Sequence, residues 1–159
     1  MKKILLSAVA LLAFGYANAQ DGVRFGAKAG VDFASVKVDL GPLGEVTGTE
    51  TGFFVGAFVE IPVSESFSVQ PEVLYVAITD ANMLNVPVHG KWEFTEDFHA
   101  LVGPSFNYLL DAEEDEFKVN LDLGASYDIT EDFDVSAKYS LGFGDVALSG
   151  AFFGVGYKF

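Results

Sequence analysis

Cysteine is absent from this chain. Disulfides, thiol nucleophiles and thiolate metal sites are therefore excluded, and no lipid anchor can be built on a cysteine after the N-terminal apolar run. Basic residues are scarce: nine Lys and Arg stand against 23 Asp and Glu, for a net charge of -14. A chain this acidic is repelled by phosphate backbones, which removes nucleic-acid binding from the functions to consider. Beyond the first twenty residues no apolar run approaches the ~20 residues of a spanning helix. Helical spacing of apolar residues is missing too. Only two histidines are present for metal or acid–base chemistry.

What the chain does contain begins with an export signal. Lys2 and Lys3 precede the apolar run "ILLSAVALLAFG", and "ANA" ahead of Gln20 suits cleavage between small residues. That run is too short to cross a bilayer as a helix. Residues 1–19 are therefore expected to be a cleaved signal peptide, with residues 20–159 as one mature domain. Half of the chain is hydrophobic and sixteen residues are Phe, so the domain has ample apolar surface to order itself.

The domain alternates at period two. In "VRFGAKAGVDF", Val23, Phe25, Ala27, Ala29, Val31 and Phe33 share one face, while Arg24, Lys28 and Asp32 share the other with two glycines. "FKVNLDLGASYDI", "FDVSAKYSLG" and "AFFGVGYKF" repeat the scheme. "FSVQPEVLYVA", "MLNVPVHGKWEF" and "FHALVGPSFNYLL" follow it less strictly, and "GFFVGAFVEI" least of all. These segments predict eight strands of roughly ten residues each.

An acidic turn closed by phenylalanine recurs as "SESF" at 64–67 and as "TEDF" at 95–98 and 130–133. Read as three-residue hairpin loops, these place Val63/Phe67, Phe94/Phe98 and Ile129/Phe133 as flanking pairs on the apolar face. The opposite rim is expected to carry longer connections, at 34–52, 78–82, 111–116 and 143–150. Short turns at one end and long loops at the other are the asymmetry of an outer-membrane barrel.

Three features assign the polar face to the inside. Arg24, Lys28, Lys91, Lys118, Lys138 and Lys158 all fall on it, with Asp32, Glu60, Glu72, Asp122 and Asp134. A narrow lumen needs acids and bases to neutralise one another, whereas a solvated exterior has no reason to gather its cations into strands. The same face carries many glycines, Gly26, Gly30, Gly56 and Gly103 among them, and these leave room for long side chains. Aromatics such as Tyr75, Trp92, Tyr127, Tyr139 and Tyr157 gather at strand ends on the apolar face, where interfacial girdles sit. Against this, Pro71, Pro87 and Pro104 lie inside strands with no edge to hide a missing N–H, and bulges are expected there.

"FVEIPVSESFSVQPEVLY", "NVPVHGKWEF", "LVGPSFNYLL", "AKYSLGFGDV" and the closing "GVGYKF" resemble outer-membrane β-barrel (porin family) proteins of the OmpX and OmpA-transmembrane-domain type. The resemblance covers residues 22–159. It implies an all-β fold, an eight-stranded antiparallel up-and-down transmembrane β-barrel in the cell outer membrane of a Gram-negative bacterium. It also implies that in-strand prolines are a family habit, and that Tyr157 and Phe159 form the signal read by the outer-membrane assembly machinery. Its members include structural barrels, adhesins, small channels and a few enzymes, so it specifies architecture better than function.

The lumen charges, Arg24, Lys28, Asp32, Glu60, Glu72, Lys91, Lys118, Asp122, Asp134, Lys138 and Lys158, are the leading candidate site. Register places Glu60 opposite Gln70, Phe58 opposite Glu72, and Lys138 opposite Gly124, a diagonal step from Asp122. For eight strands a plug of ion pairs is favoured over an ion path. His89 falls opposite Gly103 and His99 opposite Glu93, about four residues or roughly 13 Å apart, too far to share a metal ion. Ser105 and Ser136 have no spacing that singles out a nucleophile and base. "DAEEDE" at 111–116 lacks the glycine turn and final Glu of a calcium loop. Neither a cofactor, a metal site nor an enzymatic activity is therefore expected. The partners expected are outer-membrane lipid and lipopolysaccharide, the assembly machinery, and an extracellular partner on the loops, for a monomer. The leading function is structural or surface-interacting, with a narrow porin for ions or very small solutes as the alternative and a lipid-modifying enzyme as the less favoured third reading. The first long connection alternates in places, so its strands are expected to project and offer an edge to a partner.

Overall fold

The computed structural model describes residues 22–39, 44–79, 82–110, 117–143 and 146–159. The expected signal at 1–19 and the acidic stretch at 111–116 lie outside them.

The alternating segments form β1 (Arg24–Asp39), β2 (Glu45–Ser64), β3 (Phe67–Ile78), β4 (Met83–Glu93), β5 (Phe98–Leu109), β6 (Phe117–Asp128), β7 (Phe133–Gly142) and β8 (Val146–Lys158). Each strand pairs antiparallel with the next, and β8 closes on β1. Stepping through directly opposed partners from Ile61 leads by way of Val69, Gly90, Val102, Leu123, Tyr139, Ala151 and Phe33 back to β2 at Thr51. The return is ten residues along, which for eight strands tilts them by about 41° and sets a backbone radius of about 8 Å. Such a cylinder has room inside for side chains and little else.

Burial then separates the two faces. Lys28, Asp32, Glu72, His89, Lys91, Asp122, Lys138 and Lys158 are buried inside. Phe53 is 66 % exposed, Val55 58 % and Phe153 49 % on the outer wall. In water this arrangement would be inverted; in lipid it satisfies both solvents. Aromatic pairs band the exterior near the turn rim: Phe67 with Trp92, Phe133 with Tyr157, and Tyr157 with Phe159.

Several expectations need correction. The first turn is not a three-residue loop. Ser64 pairs with Phe67, and the register shifts between Pro62 and Ser64, so a bulge displaces Val63 from the expected pair. The other two turns do join Phe94 to Phe98 and Ile129 to Phe133, and the hydroxyls of Thr95 and Thr130 accept the amides of Phe98 and Phe133.

At the other rim, length lies in strands rather than loops. β1 and β2 run to 16 and 20 residues and stay paired out to Asp39 and Glu45. The stretch expected at 34–52 is thus mostly a projecting hairpin, and β8 likewise starts at Val146.

Bulges do not accommodate the three in-strand prolines. At each, two successive pairs drop out of the seam towards the preceding strand, and the same register resumes beyond. The gaps lie between Phe58↔Glu72 and Ile61↔Val69, between Pro71↔Val88 and Leu74↔Asn85, and between Pro87↔Ser105 and Gly90↔Val102. A missing N–H removes one ladder bond without requiring an extra residue.

Finally, the inner face is not polar throughout. In "GFFVGAFVEI", Phe54 and Phe58 point inward. Phe54 joins Ala34, Leu74, Val76, Ile78, Met83 and Phe152 in an apolar cluster inside the barrel. Gly56, between the two inward phenylalanines, lies so close to the carbonyl of Val73 and the backbone of Leu74 that a Cβ there would collide with both.

Candidate functional site: the lumen and the far rim

Period-two geometry aims every second residue of all eight strands at the barrel axis, and the charges meet there in layers. Nearest the turns, Lys158 Nζ lies 2.8 Å from Asp128 Oδ2, and Lys91 Nζ lies 2.8 Å from Glu60 Oε2. Above them Lys28 Nζ is 2.6 Å from Glu72 Oε1, which also accepts from Gln70 Nε2 at 2.6 Å. His89 spans the axis. Its Nε2 is 3.1 Å from Asp122 Oδ2 and its Nδ1 is 3.5 Å from Glu72 Oε1. Because a carboxylate only accepts, the close contact requires the proton on Nε2.

Asp122 is the hub. It accepts from Lys138 Nζ at 2.7 Å and from Ser105 Oγ at 2.6 Å besides His89. The next layer is amide and hydroxyl: Asn85 Nδ2 donates to Asn107 Oδ1, and Asn120 Nδ2 to Ser140 Oγ and the Leu148 carbonyl. The apolar cluster lies beyond it along the axis. Two lysines lie over inward rings, Lys28 above Phe58 at 5.2 Å and Lys138 above Phe152 at 4.7 Å.

Four of the eleven sequence-predicted charges stand outside these pairs. Arg24 Nη1 donates to the Glu131 carbonyl at the turn rim, 3.1 Å away. Lys118 sits half-buried at the other mouth. Asp134 is buried beside Gly156, whose missing Cβ leaves space for its carboxylate. Asp32 is fully buried, yet neither oxygen has a hydrogen-bond partner among the described residues. It faces a cavity of about 10 Å³ shared with Asn107 and Asn120, room for one water molecule.

Sequence reasoning missed Asp128 as the partner of Lys158, although it stands on the same face two strands away. It also missed the asparagine and serine layer. Their signal was their parity within each strand, set aside in favour of the charged residues.

The histidines do not approach one another. His89 is at the hub, whereas His99 is opposite Glu93 near the turns. Among the described residues no cluster of three metal-ligating side chains occurs. Ser105, Asp122 and His89 do form a chain, but with the carboxylate in the middle, so the imidazole is not placed to take the serine proton.

The far rim holds a second feature. β2 pairs with β3 only from Gly52, opposite Ile78, whereas its other side stays bonded to β1 as far as Glu45. Residues 45–51 therefore present a free edge, and among the described residues nothing pairs with it. The corresponding edge of β8 is partly covered: Asn120 bonds the Leu148 carbonyl, and the Ser149 hydroxyl accepts the Gly142 amide.

Comparison with known proteins points the same way. A family model described as "Outer membrane protein beta-barrel domain" matches residues 5–159. No curated protein matches the chain. Among solved structures, a de novo designed transmembrane β-barrel is similar with a TM-score of 0.58 at 17% identity, covering 86% of this chain and 95% of that one. The attachment invasion locus protein Ail of Yersinia pestis, solved with the heparin analogue sucrose octasulfate, gives 0.57 at 15% identity, covering 86% and 99%. Neisserial surface protein A gives 0.51 at 16% identity, covering 87% and 100%. At these identities the likeness concerns the fold. With the match over nearly its whole length, the chain belongs to the outer-membrane β-barrel family and is a barrel of the outer membrane.

Proposed function

We propose that this protein is a non-conducting structural barrel that meets its surroundings through the rim beyond the membrane. The observation that carries the reading is the free edge of β2 at 45–51, held out by a hairpin paired along its whole length. An unpaired edge presents a row of N–H and C=O groups that an extended segment of a partner can complete as an added strand. Barrels place short turns in the periplasm and long connections outside the cell, so this edge belongs to the extracellular side.

The side chains that fill the lumen support the non-conducting part. Four ion pairs, the His89–Asp122 contact and the apolar cluster occupy a cylinder only about 8 Å in backbone radius. The order serine–carboxylate–imidazole and its complete burial speak against hydrolysis. Tyr157 and Phe159, with ring centroids 5.5 Å apart at the turn rim, are the residues on which assembly would depend. The sucrose octasulfate bound to the Yersinia protein is a polyanion. This chain turns most of its lysines inward and carries a net charge of -14, so its partner would be a neutral or cationic extended segment instead.

Adherence of cells displaying the barrel tests the reading. Thr47→Pro with Thr49→Pro should abolish any gain in adherence while leaving the folded, heat-sensitive band on gels unchanged. Undiminished adherence would remove the edge from the account.

A further inference from the structure

The mouth of the barrel beyond the apolar cluster is a blind vestibule of about 360 Å³. Val36, Ile78, Met83, Leu109 and Leu148 wall it, and the Glu50 side chain stands at its lining as the acidic group. All occupy lumen-facing positions of their strands, so the hollow continues the barrel interior. The buried cluster beneath provides a floor. A concave, largely apolar site of this size with two polar side chains, Glu50 and Thr79, has the proportions of a small-ligand pocket.

Charge selects the ligand. Glu50 is the carboxylate among the lining residues. Lys37 and Lys118 are the bases on the adjoining strand ends. A carboxylate at the lining of a low-dielectric hollow puts negative potential into it, attracting cations and repelling anions. At roughly 30 Å³ per heavy atom, the share of a water in the liquid, the hollow holds about a dozen atoms.

We propose that the vestibule binds small cationic amphiphiles, with a short alkyl chain among Val36, Ile78, Met83 and Leu148 and the ammonium head at Glu50. Apolar burial supplies the attraction and Glu50 the preference for positive charge. The head stays near the rim, where it keeps much of its hydration.

The test uses residues 20–159 in nanodiscs of zwitterionic phospholipid, titrated below micellar concentration with octyltrimethylammonium and, separately, octyl sulfate. The readout is the methyl resonances of Ile78 and Met83, with outward-facing Leu123 reporting any ligand that merely enters the lipid. Saturable shifts at Ile78 and Met83, absent at Leu123 and given by the cation alone, are expected. Glu50→Gln should weaken the cation about five-fold, and Val36→Trp should abolish saturation by filling the hollow. Should Val36→Trp fail to give the heat-sensitive folded band, Leu148→Phe serves as the filling variant. Equal shifts from cation and anion, shifts that also appear at Leu123, or no saturation would overturn the proposal.

Discussion

At the scale of single residues, the lumen is organised by what each carboxylate receives. Asp122 accepts from three side chains, and replacing it with Asn would leave Lys138 buried without its anion. Removing one partner of a buried pair costs about 3–5 kcal/mol, so Asp122→Asn should lower the urea midpoint of unfolding in lipid vesicles. Asp32 presents the opposite case. It is as deeply buried, but among the described residues nothing donates to it. Asp32→Asn keeps the volume and removes a buried charge that no hydrogen bond satisfies, so it should stabilise the barrel by about 1–3 kcal/mol and raise the midpoint. A fall comparable to that of Asp122→Asn would show that Asp32 holds an unseen partner. These contrasts could not be read from the sequence, because both residues occupy equivalent positions in alternating strands. Which donor reaches which acid depends on side-chain reach across the axis, and period two says nothing of that.

At the scale of strands and turns, far more was legible. Alternation located all eight strands, and parity aimed the lysines inward. The Phe94/Phe98 and Ile129/Phe133 pairs follow from turn length alone, with a threonine hydroxyl closing each turn. "SESF" differs because the bulge after Pro62 consumes one residue and leaves a tighter turn. The prolines were misread because a bulge is only one way to lose a donor; dropping two pairs while keeping register is another. "GFFVGAFVEI" was obscure because it is apolar on both faces, one for lipid and one for the cluster. Gly56 is where that strand is most constrained. Gly56→Ala should destabilise the barrel by about 1–3 kcal/mol, seen as a lower midpoint or a weaker folded band. An unchanged midpoint would mean that β2 and β3 separate more readily than their pairing implies.

At the scale of the molecule, two solvents shape one sheet. The outer wall is apolar because it meets lipid, and Leu123, 45 % exposed there, tests the orientation. Leu123→Arg should cost about 2–4 kcal/mol if it meets the bilayer midplane; a neutral effect would put that face in water. On the proposed reading the interior is closed twice, by ion pairs on the turn side and by apolar side chains beyond them. The account therefore predicts silence in the measurement that tests it most directly. Residues 20–159, refolded, verified by heat-sensitive mobility and inserted in a planar bilayer, should give no single-channel steps, with or without Lys138→Glu. Reproducible steps whose size changes in Lys138→Glu would show that the lumen charges line an open path, and would contradict the closed barrel.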